Sequence, residues 1–581
     1  MKNVLILSSG DIPLFKAIIN YFKKRNDITF TLLCNKKNSP IIKEAHKLNI
    51  ETFQLNKEEL RKFFRYKKYD LVVLANFNQI LQDEIINNNT VLNIHSSLLP
   101  KYRTTKAIEK TFLNREQDVG FTIYKPNGKV WEGEIIYQKR IQINPKWDIK
   151  EFKREILKQE YYYYPRIINK FLGLNVLVVG SKSSDHAIAD KIKNSKYLNK
   201  LYLANCNDGF ACLGEKINYS NYNNLAKKIL ENNIDLVIVN DEFLFKKEIV
   251  DILRKNKTMV LGADKKTAKL ENSKYFSKRL LREYDIKTAV CKKITNKNDI
   301  EAFIKYFKNP IIKANGLTNG IGIFEDENIE KIKEELHRYL DGKYSNASKA
   351  SLIEQRLTGL NATLYSFWDG ENILHFPLCQ THKKSINNIY TSGVGAICPV
   401  AINEFNEKKL NKYKEKLETL LKQEKFNNPF IICSELIFCN DDIYTVGFNT
   451  RFCDTSGEVL LNYIENDWLE LFYSCATKSL NFTILKESFR ETTSIIMTSK
   501  HYPLATKRNI EIKNISNNEN VNNFIKTYFS DIIVRDGQFL SDGGKILSVV
   551  SQDRNSILRY LKQVEFEEKE YRNDIVLKPN N

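Results

Sequence analysis

One pattern of apolar and polar positions occurs twice along the chain. A short, unbroken apolar run over residues 3–7 is followed by the turn residues Gly10 and Asp11 and then by LFKAIINYFKK, whose apolar positions recur at helical spacing. The same order returns as an apolar run over residues 175–179, Gly180, a Ser-rich turn and HAIADKIKN. Each copy predicts the first strand, phosphate-side loop and helix of a doubly wound sheet. DLVVLA (residues 70–75) and DLVIVN (residues 235–240) are continuous β-rich runs whose LVVLA and LVIV cores do not alternate, which is the pattern of parallel strands covered on both faces. One α/β domain is therefore predicted to start at residue 1 and another near residue 174, and the join KFLGLNVLVVG leaves almost no linker.

Beyond residue 271 the pattern changes. A Gly-bearing loop, NGLTNGIGIF, follows the strand-like NPIIKA; later β-rich segments end in YTVGFNTRF, and a long helix is predicted over residues 407–423. The tail returns to short strands in SIIMTSKHYP and KILSVVS and closes on a helix. There is no short-period repeat, and the low-complexity sequence is confined to an Asn-rich surface stretch over residues 514–523.

Composition narrows this picture. A chain of 581 residues exceeds what one hydrophobic core organises, and 42% hydrophobic residues suffice for several cores. The net charge of +20 raises nucleic-acid binding, but the lysines interleave with acids, as in KEELRKF, and no basic block stands apart. That spread argues against a nucleic-acid partner and favours phosphate-bearing small substrates, which gain from the same field. Ten scattered cysteines lack C-x-x-C spacing, the opening VLIL run is too short for a signal, and no run of 18 apolar residues occurs. The expectation is a soluble, cytoplasmic protein with reduced thiols and no membrane partner.

Two segments carry chemistry. In VLNIHSSLLPKYR, residues 91–103, a strand presents Asn93 and His95 on one face, which suits an amide that polarises a carbonyl and an imidazole that manages a proton. With DLVVLANFNQIL before it, and GFTIY and EGEIIYQ after it, this stretch resembles the active-site strand of the glycinamide ribonucleotide formyltransferase family over residues 1–172. The resemblance implies that Asn93 stabilises an oxyanion and His95 acts as general acid/base on the formyl group of 10-formyltetrahydrofolate, with backbone around residues 74–81 lining the pterin pocket. Two departures stand out. Trp131 occupies the place of the family's catalytic Asp, so Glu132 or Glu134 would serve only through a slipped loop; Glu132 is the candidate. Ile12, Pro13 and Leu14 replace the family's phosphate-gripping Gly-Ser-Asn, and proline has no N–H to donate.

Residues 174–575 resemble the glycinamide ribonucleotide synthetase family, an ATP-grasp ligase, through NVLVVGSKSSDHAIADKI, LGADKKTAKLENSKYFSKRLLREYDIKTA, IIKANGLTNGIGI, QTHKK, SGVGA, FNTRFCD and the tail segments HYP, DGGKILSVVS and YRNDI. Making an acyl phosphate from a carboxylate needs lysines on the phosphates, a closable backbone loop and carboxylate-held Mg²⁺. Lys274 and Lys313 are the candidate phosphate and nucleotide lysines, and Gly316, Gly320 and Gly322 let backbone N–H groups approach. The resemblance further assigns Glu354 to ATP, and His186, Glu242, His382, Lys383 and Arg451 to substrate. Here too polar positions differ: the loop lysine is Ile321, the ribose-facing acidic pair is Leu360 and Asn361, the Asp before His382 is Thr381, and the metal-binding Glu is Gly447. Asn449 remains for the metal, and Glu435, one strand away, is either a replacement metal carboxylate or a surface strand residue.

The expected architecture is thus α/β: a doubly wound formyltransferase-type domain (1–172), then a multi-subdomain ATP-grasp ligase made of a Rossmann-like part (174–270), ATP-grasp subdomains (271–485) and a C-terminal part (486–581). The resemblance implies a bifunctional purine-biosynthesis-type enzyme that uses ATP, Mg²⁺ or Mn²⁺ and 10-formyltetrahydrofolate with an amine and an amino acid as small-molecule substrates. The alternatives are a diverged pair of activities on another amine, or a non-catalytic binding module that keeps both folds.

Overall fold

The computed structural model describes residues 1–504, 506–515 and 525–577, and every count below refers to them. Of the Asn-rich stretch, residues 516–523 lie outside the described residues. The chain divides into two compact units, Met1–Leu174 and Asn175–Asn581.

The first unit is built on a seven-stranded sheet: β1 (Lys2–Ser8), β2 (Ile28–Cys34), β3 (Glu51–Gln54), β4 (Leu71–Ala75), β5 (Val91–His95), β6 (Val119–Pro126) and β7 (Gly133–Ile141), in the order β3-β2-β1-β4-β5-β6-β7. The first five are parallel, and β6 and β7 add antiparallel. The apolar run holds the centre as its pattern demands, with Val4, Leu5, Ile6 and Leu7 fully buried. Chain order reverses between β1 and β4, and the crevice at such a reversal, beyond the carboxyl ends of the strands, is where doubly wound folds bind ligands. The helix Ile149–Leu172 closes the unit from a capping box of Asp148 and Glu151. Its buried Tyr164 hydroxyl lies 3.0 Å from the Leu74 carbonyl and 2.9 Å from that of Leu92, anchoring the helix to β4 and β5.

The second unit repeats the opening on a five-stranded parallel sheet of β8 (Leu174–Val179), β9 (Leu198–Ala204), β10 (Glu215–Lys216), β11 (Leu236–Val239) and β12 (Val260–Leu261), ordered β10-β9-β8-β11-β12. A four-stranded antiparallel sheet follows, with β13 (Cys291–Ile294), β14 (Pro310–Ala314), β15 (Ile323–Glu325) and β16 (Ser351–Gln355) in the order β13-β16-β14-β15. The largest sheet runs β21-β20-β17-β18-β19-β22, from β17 (Leu360–Trp368), β18 (Ile373–Lys384), β19 (Tyr390–Cys398), β20 (Phe430–Cys439), β21 (Asp442–Asn449) and β22 (Thr492–Ser499), and continues through Lys545–Ser551 and Ile525–Phe529. It crosses the expected 485–486 division, because β19 pairs with β22. The predicted long helix is Glu404–Gln423, whose Leu410, Tyr413, Leu417, Leu420 and Leu421 are buried. No helix of the described residues is long and apolar enough to cross a membrane.

Candidate functional site

In the first unit a cavity of about 450 Å³ is lined by Asn93 and His95 of β5, by Leu74 and residues 76–81 after β4, by Asp11, and by Trp131. The strand period places Asn93 and His95 on one face, as their spacing predicts. The Asn93 amide donates to the Tyr124 hydroxyl at 2.8 Å and accepts from the Ile94 N–H at 2.9 Å, which fixes which way the side chain points. His95 Nε2 lies 2.9 Å from the Tyr102 carbonyl. A carbonyl only accepts, so Nε2 carries the proton and Nδ1 keeps the lone pair. Burial lowers the His95 pKa, against the opposing pull of the Tyr102 bond, so the imidazole is neutral at pH 7.

The partner expected for His95 is absent. Glu132 is bound to Arg103 at 2.7 Å, and Glu134 to Lys125 at 3.4 Å. The loop is not slipped, and the assignment of Glu132 to catalysis is corrected: its carboxylate is held by Arg103 outside the cavity wall. The Trp131 indole stands beside the imidazole instead, with ring centroids 5.8 Å apart, on a backbone at φ +54° that bulky residues rarely adopt.

At the N-terminus of the helix Ile12–Phe22 the chain fills its own anion site. The Leu14 N–H donates to Asp11 Oδ1 at 3.0 Å, the Gly10 and Asp11 N–H groups both donate to Ser8 Oγ at 3.2 Å, and Pro13 has none to offer. Asn76 holds the other Asp11 oxygen at 2.9 Å. A carboxylate already sits where the helix field would favour a phosphate. Sequence reading also missed Glu160, a buried acid raised to about 7 by burial, against a hydrogen bond from Ser96 and with Asp11 pushing the same way as burial. It stands beside a run of four tyrosines whose pattern reads only as helix.

In the second unit a cavity of about 500 Å³ gathers Lys274, Lys313, the loop 317–321, Lys383, Glu435, Gly447, Asn449, Arg451 and Glu242. Lys313 is anchored by buried Glu354 at 2.9 Å, and Lys278 braces the same carboxylate at 3.3 Å. Lys274 donates to the Gly316 carbonyl at 3.2 Å, and burial together with Lys313 pulls it down to about 8 against the pull of Glu435, Glu354 and Glu271. Opposite stands Glu435, bound by Lys383 at 2.5 Å and by the Asn449 amide at 2.8 Å. Burial alone would raise this carboxyl, but Lys383 and Asn449 overcome it and hold it at about 2. Glu435 and Gly447 are direct partners across β20 and β21, and a Cβ placed on Gly447 would lie 3.5 Å from Glu435 Oε2. The Glu435 carboxylate thus reaches over the missing side chain. Arg451 pairs with Glu242 at 2.7 Å and Glu271 at 3.3 Å, and Lys182 with Glu242 at 2.6 Å.

Four groups of predicted residues lie elsewhere. His186 stacks on Phe210 at 4.9 Å and accepts from the Phe529 N–H at 2.9 Å; burial drives it down to about 3, so it is a neutral core histidine rather than a substrate ligand. His382 sits between the cavity-lining Thr381 and Lys383, and strand alternation turns it to the other face. Glu354 is the buried counter-ion of Lys313 and Lys278, not a lining residue. Gly316 and Gly322 pack against Ala347 and Thr318, whereas Gly320, at φ +84°, lines the cavity against Ser392. The cavity also holds residues not singled out from sequence, among them Lys182, Glu271, Asp454 and Lys545. Asp454 and Lys545 pair at 2.8 Å, and the motifs RFCD and DGGK had carried both.

Comparison with known proteins agrees with both halves. Residues 2–168 match the formyl transferase family, residues 174–271 the N domain of phosphoribosylglycinamide synthetase, and residues 272–457 its ATP-grasp (A) domain. The chain is 28% identical over 417 residues to the phosphoribosylamine–glycine ligase of Caldanaerobacter subterraneus subsp. tengcongensis, covering 69% of this chain and 99% of that protein. It is 27% identical over 451 residues to a bifunctional purine biosynthetic protein of Dictyostelium discoideum, covering 70% of this chain and 55% of that one. The solved phosphoribosylamine–glycine ligase of Thermotoga maritima shares the fold with a TM-score of 0.59 at 21% identity, over 69% of this chain and 100% of that one. The chain belongs to the formyl transferase family in its first unit and to the phosphoribosylglycinamide synthetase family in its second, and is a fusion of the two.

Proposed function

We propose that the chain is a bifunctional enzyme: an ATP-dependent ligase that joins an amine to the carboxylate of glycine, and a formyltransferase that passes the formyl group of 10-formyltetrahydrofolate to an amine. The observation that carries the ligase is Lys274, a cavity-wall ammonium depressed by burial and by Lys313, whose hydrogen bond goes to the Gly316 carbonyl rather than to a carboxylate. Such a group is stabilised by an incoming phosphate. Lys274 and Lys313 bind the nucleotide phosphates, and the loop 317–321 closes over them. The carboxylate of the amino acid takes the terminal phosphoryl group to give an acyl phosphate and ADP; the amine then attacks the acyl carbon and expels phosphate. Arg451, held by Glu242 and Glu271, orients the carboxylate substrate.

A divalent cation fits the opposite wall. Glu435 and the Asn449 carbonyl oxygen are hard oxygen donors, suited to Mg²⁺ or Mn²⁺, and the described residues contain no cluster of three metal-binding side chains. Few protein ligands, with phosphates and water completing the shell, is how Mg²⁺ is commonly bound in phosphoryl-transfer sites. Bound there, the ion would neutralise charge on the phosphates during transfer. In the first unit the free N–H of the Asn93 amide stabilises the developing oxyanion, and neutral His95 takes the amine proton at Nδ1.

The test is incubation with ATP, Mg²⁺, glycine and phosphoribosylamine, with and without 10-formyltetrahydrofolate, followed by mass spectrometry. Ligated amide with ADP, and its formylated form when the folate is added, are the expected products. Absence of ATP turnover and of nucleotide binding would refute the ligase. The Asp11 cap favours a second reading for the formyl step, in which the accepting amine carries no phosphate at that helix end. Formylation of a dephosphorylated amine in preference to its phosphate ester would select it.

A further inference from the structure

The glycine loop of the ligase cavity leads into β15, and β15 ends on a carboxylate that ligation does not use. Glu325 lies outside the cavity wall, with a side chain only 13% exposed. Three groups converge on it. Lys384 Nζ and Arg356 both meet Oε1, the guanidinium at 3.3 Å, and the Tyr390 hydroxyl donates to Oε2 at 3.1 Å. Arg356 follows β16 of the same small sheet, but Lys384 and Tyr390 belong to the large one. These two are direct register partners at the turn of the β18–β19 hairpin, so their side chains share a face, and Lys384 Nζ lies 4.7 Å from the Tyr390 ring centre.

The hairpin is the fixed side of this junction. The Ser385 N–H closes its turn on the Ile389 carbonyl at 2.9 Å, and Arg572 donates to the Lys384 carbonyl at 2.8 Å. The loop side is braced internally. The Gly316 N–H donates to the Ala347 carbonyl at 2.9 Å, the Gly322 N–H to the Thr318 hydroxyl at 3.0 Å, and the Tyr344 hydroxyl to the Ile321 carbonyl at 2.8 Å. Gly320 is where this loop touches the large sheet: a Cβ there would meet the Ser392 nitrogen at 2.3 Å and the Thr391 carbonyl carbon at 2.7 Å. Both atoms lie just beyond Tyr390, so Gly320 and Glu325 hold one short segment against the same hairpin at its two ends.

We infer that Glu325 is a positioning residue of the ligase, tying the strand after the glycine loop to the Lys384–Tyr390 hairpin so that residues 317–321 stay over the nucleotide phosphates. This rests on the ligase reading above. An exposed ion pair would contribute little, but a carboxylate withdrawn from water and shared by two cations and a hydroxyl is costly to break. Ile321 makes the tie matter: it brings no charge to the phosphates, so the loop acts through backbone N–H groups, which work only at hydrogen-bond range. A loop that lifts loses those bonds, and a nucleoside without phosphates does not sense the loss.

Two measurements on the full chain test this. Hydrogen exchange without nucleotide should be faster in E325Q than in wild type over residues 317–323 and 390–392, the two faces of the contact. Unchanged exchange there would overturn the tie. Calorimetry should show ATP binding weakened about tenfold in E325Q, with adenosine binding within twofold of wild type. Undiminished ATP affinity, or an equal loss for adenosine, would overturn the positioning role and leave a structural ion pair. K384M should weaken ATP binding as E325Q does, and the double variant no further; fully additive losses would overturn the pairing. Should E325Q fail to fold, Y390F, which removes only the hydroxyl, decides by the same two measurements with a smaller loss in the same direction. If wild type binds no ATP, the ligase reading fails, and hydrogen exchange still judges the tie.

Discussion

Lys274 offers the most direct test of the ligase cavity. Its ammonium, depressed to about 8 from an ordinary value of 10.5, titrates in a range where most lysines remain charged. A bound nucleotide phosphate adds opposite charge to the pull of Glu435, Glu354 and Glu271, and returns the pKa toward the ordinary value. Binding is then linked to proton uptake. At pH 7 the free lysine is about nine-tenths protonated and the linkage is nearly silent; at pH 9 it is about one-tenth protonated, and binding draws about 0.9 proton from solution. ATP affinity should therefore fall about tenfold from pH 7 to pH 9, or about 1.4 kcal/mol, the protonated lysine being the binding form. Calorimetry in buffers of differing ionisation enthalpy reads the uptake directly. K274M should bind more weakly at pH 7, with its pH dependence reduced to the nucleotide's own. The reasoning fails if wild type takes up no proton at pH 9, or if K274M keeps the full slope.

Other sites give independent checks. H95Q should lower formyl transfer by about 100-fold or more while leaving folate binding near the wild-type value, read from single-turnover kinetics and fluorescence titration. His186 should make stability pH-dependent. Its folded pKa of about 3 lies below the ordinary 6.5, so the unfolded state binds the extra proton, and its contribution is present above pH 6.5 and lost as pH falls toward 3. The loss is about 2 kcal/mol between pH 8 and pH 5. The difference between wild-type and H186F denaturation curves isolates it from Asp185 and Glu458, whose raised carboxyls slope the other way. G320A should cost about 1–3 kcal/mol or displace the loop, because φ is +84° and a Cβ would meet the Ser392 nitrogen at 2.3 Å; unchanged melting and ATP affinity would refute the packing.

The strands at 3–7, 70–75, 175–179 and 235–240 were legible in the sequence because burial on both faces leaves an unbroken apolar run, and the structure extends or trims them by one or two residues. Asn93, His95, Lys274, Lys313, Lys383, Asn449 and Arg451 reached their cavities because each belongs to a local word whose spacing sets the face. Failures came where facing depends on partners distant in sequence. His186 and His382 carry ligand-type chemistry, but aromatic packing against Phe210 and Phe529 claims the first, and strand alternation turns away the second. Glu354 was placed near the nucleotide, yet its work is to hold two lysines from within the core.

The Glu435–Gly447 pair shows what linear reading misses most. Along the chain, Gly447 registers only as a lost carboxylate. Across the β20–β21 ladder, the same position is the direct partner of Glu435, and glycine is the residue that leaves room for the neighbouring carboxylate to lean over. If that carboxylate serves as metal ligand, E435Q should weaken Mn²⁺ binding measured by electron paramagnetic resonance in the presence of ADP. G447E should then restore it in the E435Q background, since the new side chain rises from the facing strand into the same space. Rescue by G447E is the decisive outcome, because a Glu435 that merely neutralised Lys383 would give no reason for a carboxylate at 447 to recover the ion. Failure of E435Q to change Mn²⁺ affinity would instead leave Glu435 as the counter-ion of Lys383 alone, and the cation would have to be held by Asn449 and the nucleotide phosphates.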